Sequence, residues 1–184
     1  LEEADLYDRY RLDEPWDSEN NKKLIARMPS VYKAPGSRVS KDGKTNYLAI
    51  VGEGNALSAK ERTRLSAITD GTSNTVMVVE AADSKALPWT KPEDFTPDDK
   101  KPTAGLVGLR RRGFLVLFCD GFVRLVSNKT AAETIHALFT RAGGEVVDPS
   151  QFDRPRRSRP DDVEIQIEEA LKDEPAIEEP AVKE

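Results

Sequence analysis

Few residues in this chain offer nucleophilic or acid–base chemistry. It has one histidine, His136, and one cysteine, Cys119, which excludes an intrachain disulfide. Ser73 stands in a Gly-Thr-Ser-Asn run, but it lacks the flanking glycines of a nucleophile elbow, and no second histidine could activate it. His136 falls beside the apolar stripe of a predicted helix, where a partly exposed histidine needs no catalytic role. We therefore expect no enzyme.

Metal-binding chemistry is limited in the same way. One cysteine and one histidine cannot supply the tetrahedral ligand set of a zinc site. Calcium takes oxygen ligands, and the long proline-rich connection over residues 83–112 carries carboxylates that could converge with backbone carbonyls. Their spacing matches no EF-hand loop, and a solvated acidic loop is the simpler interpretation. The candidate ligands are Asp83, Glu93, Asp94, Asp98 and Asp99.

The charge of the chain is uneven. The formal net charge is −5, and residues 161–184 hold ten acidic residues against two lysines, a local net of −8 that leaves +3 for residues 1–160. Arg110, Arg111 and Arg112 form a basic run that could neutralise the acidic loop or tail, or bind an anionic partner; a solvated turn is the simpler interpretation. No basic stripe with interleaved aromatic residues is present, so we expect no nucleic-acid partner.

Two turn sequences lead into strand-like apolar runs and would position any site. The first contains Asp70, Gly71, Ser73 and Asn74 and precedes a predicted strand over residues 76–81. Side chains of these types form turns by hydrogen bonding to the nearby backbone. We interpret these residues as structural.

The second turn predicts a β-hairpin over residues 114–127. Its Asp120-Gly121 dipeptide suits a two-residue loop of type I′, which needs φ > 0 at both positions. We interpret both residues as structural turn positions.

The type I′ register fixes which side chains share a face. It pairs Phe118 with Val123 and Val116 with Leu125, so that one face is wholly apolar. The other face is also apolar, apart from Arg124. A hairpin of this kind is typically central in a sheet and covered on both sides.

Helical patterns occupy three further segments. They cover residues 4–10, a stretch that begins at residue 17 or 18 and ends before Pro29, and residues 130–142, where Thr130 is a candidate N-cap. A short strand is predicted over residues 47–51. The predicted buried positions of the second and third helices are Leu24, Ile25, Met28, Ile135, Leu138 and Phe139.

The length and composition predict one domain over residues 1–149 and a disordered tail, first basic and then acidic, over residues 150–184. No segment approaches the ~20 apolar residues that a membrane-spanning helix requires. The chain begins at Leu1, without an initiator methionine, and we expect it to be the C-terminal globular part of a longer protein.

The two turn-and-strand segments, residues 68–80 and 114–126, resemble a bacterial pseudopilin-like family of unknown function, whose C-terminal signature is a histidine, nine residues and then Asp-Gly. The likeness covers roughly residues 1 to 147. Further runs that look like this family are Asp13-Glu14-Pro15-Trp16-Asp17-Ser18, Asn21-Lys22-Lys23-Leu24-Ile25, Arg27-Met28-Pro29-Ser30-Val31-Tyr32, Pro88-Trp89-Thr90-Lys91-Pro92-Glu93-Asp94 and Leu138-Phe139-Thr140-Arg141-Ala142-Gly143-Gly144-Glu145.

The resemblance implies a fold and a location. The fold would be α+β, with an N-terminal helix packed on an antiparallel sheet, as in type IV pilins and type II secretion pseudopilins. The full-length protein would be anchored outside the cytoplasm or on the cell surface by an apolar N-terminal helix. This chain departs from the signature at one position, because Arg110 stands where the family has histidine.

The leading hypothesis is a non-catalytic structural or interaction domain without a cofactor, whose partner is another protein or a second copy of itself. Its membrane contact would be made only through the anchoring helix. The alternative is a ligand-binding or Ca²⁺-binding module that uses residues 83–112. An enzyme is the third hypothesis, and a lone histidine argues against it.

Overall fold

The computed structural model describes residues 3–60, 62–98 and 100–147. The predicted tail over residues 150–184 lies outside them. The α-helices are α1 (Ala4–Arg9) and α2 (Ala132–Phe139). The strands are β1 (Lys44–Thr45), β2 (Tyr47–Ala49), β3 (Val76–Glu80), β4 (Leu87–Pro88), β5 (Gly113–Phe118) and β6 (Val123–Ser127). Short 3₁₀ helices span Asn21–Arg27, Ser30–Tyr32, Ser40–Asp42, Leu65–Ala67 and Asp83–Lys85.

The strands form two antiparallel sheets. The larger has four strands in the order β2-β3-β5-β6, and the smaller pairs β1 with β4. Together with the helices they give the α+β class with an antiparallel sheet that the sequence predicts. The small β1–β4 sheet was not predicted, because two-residue strands leave no alternation to detect.

The hairpin of β5 and β6 forms, but its predicted register is wrong by one residue. Leu117, rather than Phe118, lies opposite Val123. The Phe118 N–H donates to the Phe122 carbonyl (2.9 Å), and the Gly121 N–H donates to the Phe118 carbonyl (3.0 Å). The loop therefore has three residues, 119–121, and ends on Gly121 with φ +87°. An Asp-Gly pair is compatible with a three-residue loop that ends in a glycine bulge, as here, and also with a two-residue type I′ turn.

The corrected register separates a buried face from a half-buried one. Val116 lies opposite Arg124, and Phe114 lies opposite Val126. These four side chains and Phe118 are all at least nine-tenths buried. We call this side of the four-stranded sheet the inner face. The prediction that both faces are fully covered is wrong.

A bulge in β3 completes the inner face. Val76 pairs with Phe118 and Val79 with Val116, although three positions separate the two valines. The register shift between Val76 and Val78 accommodates the extra residue, so both Val76 and Val79 point inward. The core around this face consists of Leu48, Ile50, Val76, Val79, Ala81, Phe95, Leu106, Phe114, Val116, Phe118, Val126, Ile135, Leu138 and Phe139.

Helix α2 covers part of the inner face, and its predicted inward residues are buried. It is shorter than the predicted span of 130–142. Its N-cap is Ala131, without a side-chain hydrogen bond, rather than Thr130. At its end Thr140 is already extended, with φ −84° and ψ 146°.

The connection over residues 83–112 contributes to the core. Phe95 is 4% exposed and forms a parallel bridge with Ile50, and Leu106 is completely buried. Strand β4 also lies in this segment. The proline-rich connection is therefore ordered, because Phe95 and Leu106 are buried in the core. These two apolar residues are isolated in the sequence and show no periodicity.

The N-terminal segments follow the prediction in part. Helix α1 confirms the helical pattern of residues 4–10 and buries Leu6. The predicted second helix is a 3₁₀ helix over Asn21–Arg27 that buries Leu24, while Ile25 is only half-buried. No helix among the described residues is long and apolar enough to cross a membrane.

Candidate functional site

The turn before β3 is built by its own side chains. The Asn74 N–H donates to the Gly71 carbonyl (3.0 Å), and the Asn74 side-chain amide donates to the Asp70 carbonyl (3.0 Å). The Thr75 hydroxyl donates to the Gly71 carbonyl at 3.1 Å. Gly71 has φ +94°, a conformation that suits glycine. These bonds tie the Asn74 amide and the Thr75 hydroxyl to the local backbone, while Oδ1 of Asn74 is buried without a hydrogen-bond partner among the described residues.

The carboxylate of Asp70 joins this turn to the segment after α2. It accepts hydrogen bonds from the N–H groups of Gly143 (2.7 Å) and Gly144 (3.0 Å). The Asp70 N–H donates to the Arg141 carbonyl at 3.2 Å. Asp70 thus holds two distant parts of the chain together.

The hairpin turn lies against the first turn. The Cys119 N–H donates to the Thr75 carbonyl (2.9 Å), and the Asp120 N–H donates to the Thr72 carbonyl (3.1 Å). One Asp120 carboxylate oxygen accepts from the Phe122 N–H at 3.0 Å. The thiol of Cys119 is half-buried, and burial together with the Asp120 charge raises its pKa. The two turns therefore form one polar layer at this end of the sheet.

Arg124 ties the two turns together from the inner face. Its guanidinium donates to the Ser73 carbonyl (2.7 Å) and to the second carboxylate oxygen of Asp120 (3.1 Å). The same group lies 4.4 Å from the centroid of the Phe118 ring, within cation–π distance. The sequence analysis placed Arg124 on the opposite face because the predicted register was shifted by one residue.

A second buried arginine pair lies on the other side of the sheet, which we call the outer face. Arg110, at the position where the resembled family has histidine, donates two hydrogen bonds to the carboxylate of Glu80, at 2.5 and 2.8 Å. The Glu80 side chain is only 1% exposed. The pairing of Arg110 with Glu80 and the burial of Glu80 were not predicted, because a single glutamate at the end of a strand does not indicate burial in the sequence.

Tyr47 lies opposite Glu80 in the β2–β3 register. Burial of the ring, with the nearby Glu80 carboxylate, raises the pKa of the Tyr47 hydroxyl, and Arg110 partly offsets this rise. Arg110, Glu80 and Tyr47 thus form a charged and polar corner of the outer face.

The rest of the outer face is apolar and partly open. Val78 lies opposite Leu117, and Leu117 lies opposite Val123. Val123, at the end of this row, is 47% exposed. The core cluster includes none of the apolar outer-face side chains, which are Tyr47, Ala49, Val78, Leu115, Leu117, Val123 and Leu125.

Asp83, the first of the candidate calcium ligands, anchors the N-terminal half of the chain. Its carboxylate accepts hydrogen bonds from the Ser37 hydroxyl (2.8 Å), the Arg38 N–H (3.0 Å) and the Asn46 side-chain amide (3.0 Å). Burial opposes ionisation of Asp83, but the hydrogen bonds from Asn46, Ser37 and the Arg38 backbone outweigh it. The pKa of Asp83 is consequently lowered.

The other candidate ligands that the structure describes do not share hydrogen-bond or ion-pair partners with one another. Glu93 pairs with Lys91, and Asp94 is exposed. Asp98 accepts hydrogen bonds from the N–H groups of Lys101 and Lys100, which lower its pKa. Asp99 lies outside the described residues. Within residues 3–60, 62–98 and 100–147, no three histidine, cysteine or carboxylate side chains converge as a metal site would require.

Several of the runs that resemble the pseudopilin-like family meet around Trp89, where their contacts are structural. The indole N–H of Trp89 donates to the Ile25 carbonyl (3.1 Å), and its ring stacks on Tyr32 with centroids 5.7 Å apart. The ammonium group of Lys91 lies 5.8 Å from the centroid of the Trp16 ring.

Comparison with known families identifies the chain. Residues 1–108 match the family described as "Protein of unknown function (DUF1559)", and the chain belongs to this family. Neither the curated proteins nor the solved structures provided a match.

Proposed function

We propose that this member of the DUF1559 family is a non-catalytic interaction domain of pseudopilin-like type that binds an apolar α-helix on the outer face of its four-stranded sheet. The proposal rests on one observation above all. The outer face is lined by apolar side chains that lie outside the core cluster, and Val123 at its edge is 47% exposed.

The dimensions of the outer face suit a helix. Four strands about 4.8 Å apart span roughly 15 Å, and a helix with its side chains is about 10 Å across. Apolar side chains of adjacent strands lie side by side, as in the row of Val78, Leu117 and Val123. A helix laid on this row would remove apolar surface from water, which stabilises a complex by about 25 cal/mol per Å² before association costs.

The charged corner supports a role in orienting this helix. Arg110 and Glu80 compensate each other's charge at one end of the outer face. The other outer-face side chains are apolar. A helix that carries polar residues at one end and apolar residues along its length would therefore bind in a single preferred direction. The arginine thus takes a structural part at the position of the signature histidine.

The polar groups of the turns support a non-catalytic role. The carboxylates of Asp70 and Asp120 accept hydrogen bonds from the backbone, the Asn74 side-chain amide donates to it, and Asp120 also contacts Arg124. On the resemblance to pilins, we propose that the helix is the segment encoded before Leu1 and that the anchored protein lies on the cell surface or elsewhere outside the cytoplasm. Weak self-association through the same face is the expected behaviour of the isolated domain.

Binding of a helix can be measured with a peptide that corresponds to the gene sequence directly before Leu1. We expect this peptide to bind the domain in calorimetric titration, and sedimentation to show weak self-association in its absence. Val123→Lys, at the exposed edge of the outer face, should weaken peptide binding at least tenfold. Leu12→Lys is the matched control, because Leu12 is 74% exposed and belongs to none of the strands.

A domain that stays strictly monomeric at high concentration and does not bind the peptide would contradict the proposal. Equal losses of peptide binding in Val123→Lys and Leu12→Lys would contradict it as well, since the effect would then come from added charge and not from the outer face.

A further inference from the structure

A cleft of about 340 Å³ opens on the surface next to the segment after α2. It is lined by three arginines, two hydroxyl side chains and one small apolar side chain. The lining residues are Arg62, Thr63, Arg64, Ser66, Ala67 and Arg141. Such a lining is unlike that of most small-molecule pockets, which are mainly apolar.

The backbone places two of these arginines on the same side of the chain. Arg64 is extended, with φ −87° and ψ 147°, and successive side chains of an extended segment point in opposite directions. Arg62 and Arg64 are accordingly exposed, while Thr63 between them is half-buried. The hydroxyl oxygen of Thr63 is buried and has no hydrogen-bond partner among the described residues.

Arg141 supplies a fixed guanidinium at the other wall. The backbone N–H of Arg141 donates to the Gly54 carbonyl (2.8 Å), and the guanidinium Nη1 donates to the Asn55 carbonyl (3.0 Å). The side chain is therefore held in place before any ligand arrives. A preorganised group loses less conformational freedom on binding.

Arg62 and Arg64 form no ion pair with any residue of the described part of the chain. The carboxylate of Asp70, whose backbone N–H donates to the Arg141 carbonyl, accepts hydrogen bonds from the Gly143 and Gly144 backbone. Arg62 and Arg64 thus bring positive charge to a cleft that Arg141 also lines.

We propose that this cleft binds a phosphate-bearing ligand. Guanidinium groups donate in a planar fork that matches phosphate oxygens, and phosphate carries negative charge that Arg62 and Arg64 can neutralise. The volume is sufficient for a diphosphate, and the polar lining disfavours a large apolar ligand. The source is a free diphosphate or the phosphates of a polymer, and both offer the same chemistry to the arginines.

Calorimetric titration at low salt tests the proposal with inorganic pyrophosphate, long-chain polyphosphate and citrate as probes. We expect at least one phosphate probe to bind, with affinity that falls as NaCl is raised. Binding of pyrophosphate would assign a free diphosphate, and binding of polyphosphate alone would assign a polymer. The double variant Arg62→Gln/Arg64→Gln should weaken binding at least tenfold while the thermal unfolding midpoint stays within a few degrees.

The double variant Lys22→Gln/Lys23→Gln is the matched control, because it removes the same charge from two exposed residues outside the cleft. We expect it to change phosphate affinity less than twofold. The proposal is overturned if neither phosphate probe binds, if citrate binds as tightly as pyrophosphate, or if the lysine control loses as much affinity as the arginine variant.

Discussion

The inner and outer faces of the four-stranded sheet have similar side chains and very different surroundings. Along β5, Val116 and Phe118 point inward and are essentially inaccessible to solvent, while Leu115 and Leu117 point outward and are half-buried. Apolar composition alone therefore does not decide burial. Burial depends on which face the other elements cover, and α2, Phe95 and Leu106 join the core on the inner face.

Each face also contains one arginine–carboxylate pair, and the two pairs differ in their partners. Arg124 contacts Asp120 four residues away in the same hairpin, and a carbonyl of the other turn. Arg110 contacts Glu80, which lies on β3 and is 30 residues away in the sequence. We therefore expect that truncating a core side chain of the inner face lowers the free energy of unfolding more than removing any single polar contact on either face.

The largest effect is expected from truncation on the inner face. Phe118→Ala should lower the free energy of unfolding by ~3–5 kcal/mol, because it removes a fully buried ring and leaves a cavity. Leu117→Ala, one residue away on the outer face, should cost about 1 kcal/mol, because only part of its side chain leaves water. Urea denaturation monitored by tryptophan fluorescence measures both. Equal costs would show that the two faces are equally covered.

Arg110→Met should lower the free energy of unfolding by about 3 kcal/mol, since it leaves the buried Glu80 carboxylate without its charged partner. The double variant Arg110→Met/Glu80→Gln should recover part of this loss. Denaturation of the four proteins at pH 7 completes the double-mutant cycle. A double variant less stable than Arg110→Met would mean that Glu80 has other charged partners that satisfy it.

Gly121→Val should cost about 1–2 kcal/mol, because Gly121 has φ +87° and a β-branched residue is strained there. A Cβ at this position would meet no atom within 4 Å, so the effect comes from the backbone conformation alone. Gly121→Asn is the control, because asparagine tolerates the left-handed region and should cost less. Thermal unfolding of both variants measures the difference, and a fully stable valine variant would contradict the three-residue loop.

The smallest expected effect is the loss of stability at low pH. The pKa of Asp83 lies below its ordinary value of 3.8 in the folded chain, so the ionised form is favoured by folding. The resulting stability is present above the unfolded pKa and is lost as the pH falls through the folded pKa. Wild type should therefore exceed Asp83→Asn in stability by up to about 1 kcal/mol at pH 7, and by less at pH 2. A difference that grows on acidification would reverse the assigned sign.

The sequence predicted the elements whose signals are local. Alternation and turn residues located β3, the hairpin and α2, because dense β-branched runs and Asp-Gly turns act over a few positions. The hairpin register was missed, since Asp120-Gly121 is compatible with loops of two and of three residues, and a shift of one residue moves every side chain to the other face. The face assigned to Arg124 was wrong for that reason.

Contacts between distant segments could not be predicted. Phe95 and Leu106 are single apolar residues among prolines and charges, and only the folded chain shows that they enter the core. Asn21 is completely buried and bonds to the backbone of Arg11 and Pro15, although asparagine is ordinarily a surface residue. The arginines of the cleft come from segments nearly eighty residues apart, which no spacing rule brings together.

The hydrogen bonds of Arg124 to Asp120 and to the Ser73 carbonyl imply an order of events during folding. Its contact with Asp120 spans four residues, whereas its contact with the Ser73 carbonyl spans 51. Closing a flexible loop of that length costs about 3.5 kcal/mol of chain entropy by the logarithmic law. We therefore expect the local contact to form with the hairpin and the distant one only when β3 joins the sheet. Arg124→Gln should then accelerate unfolding more than it slows refolding, which the two arms of a chevron plot would measure separately.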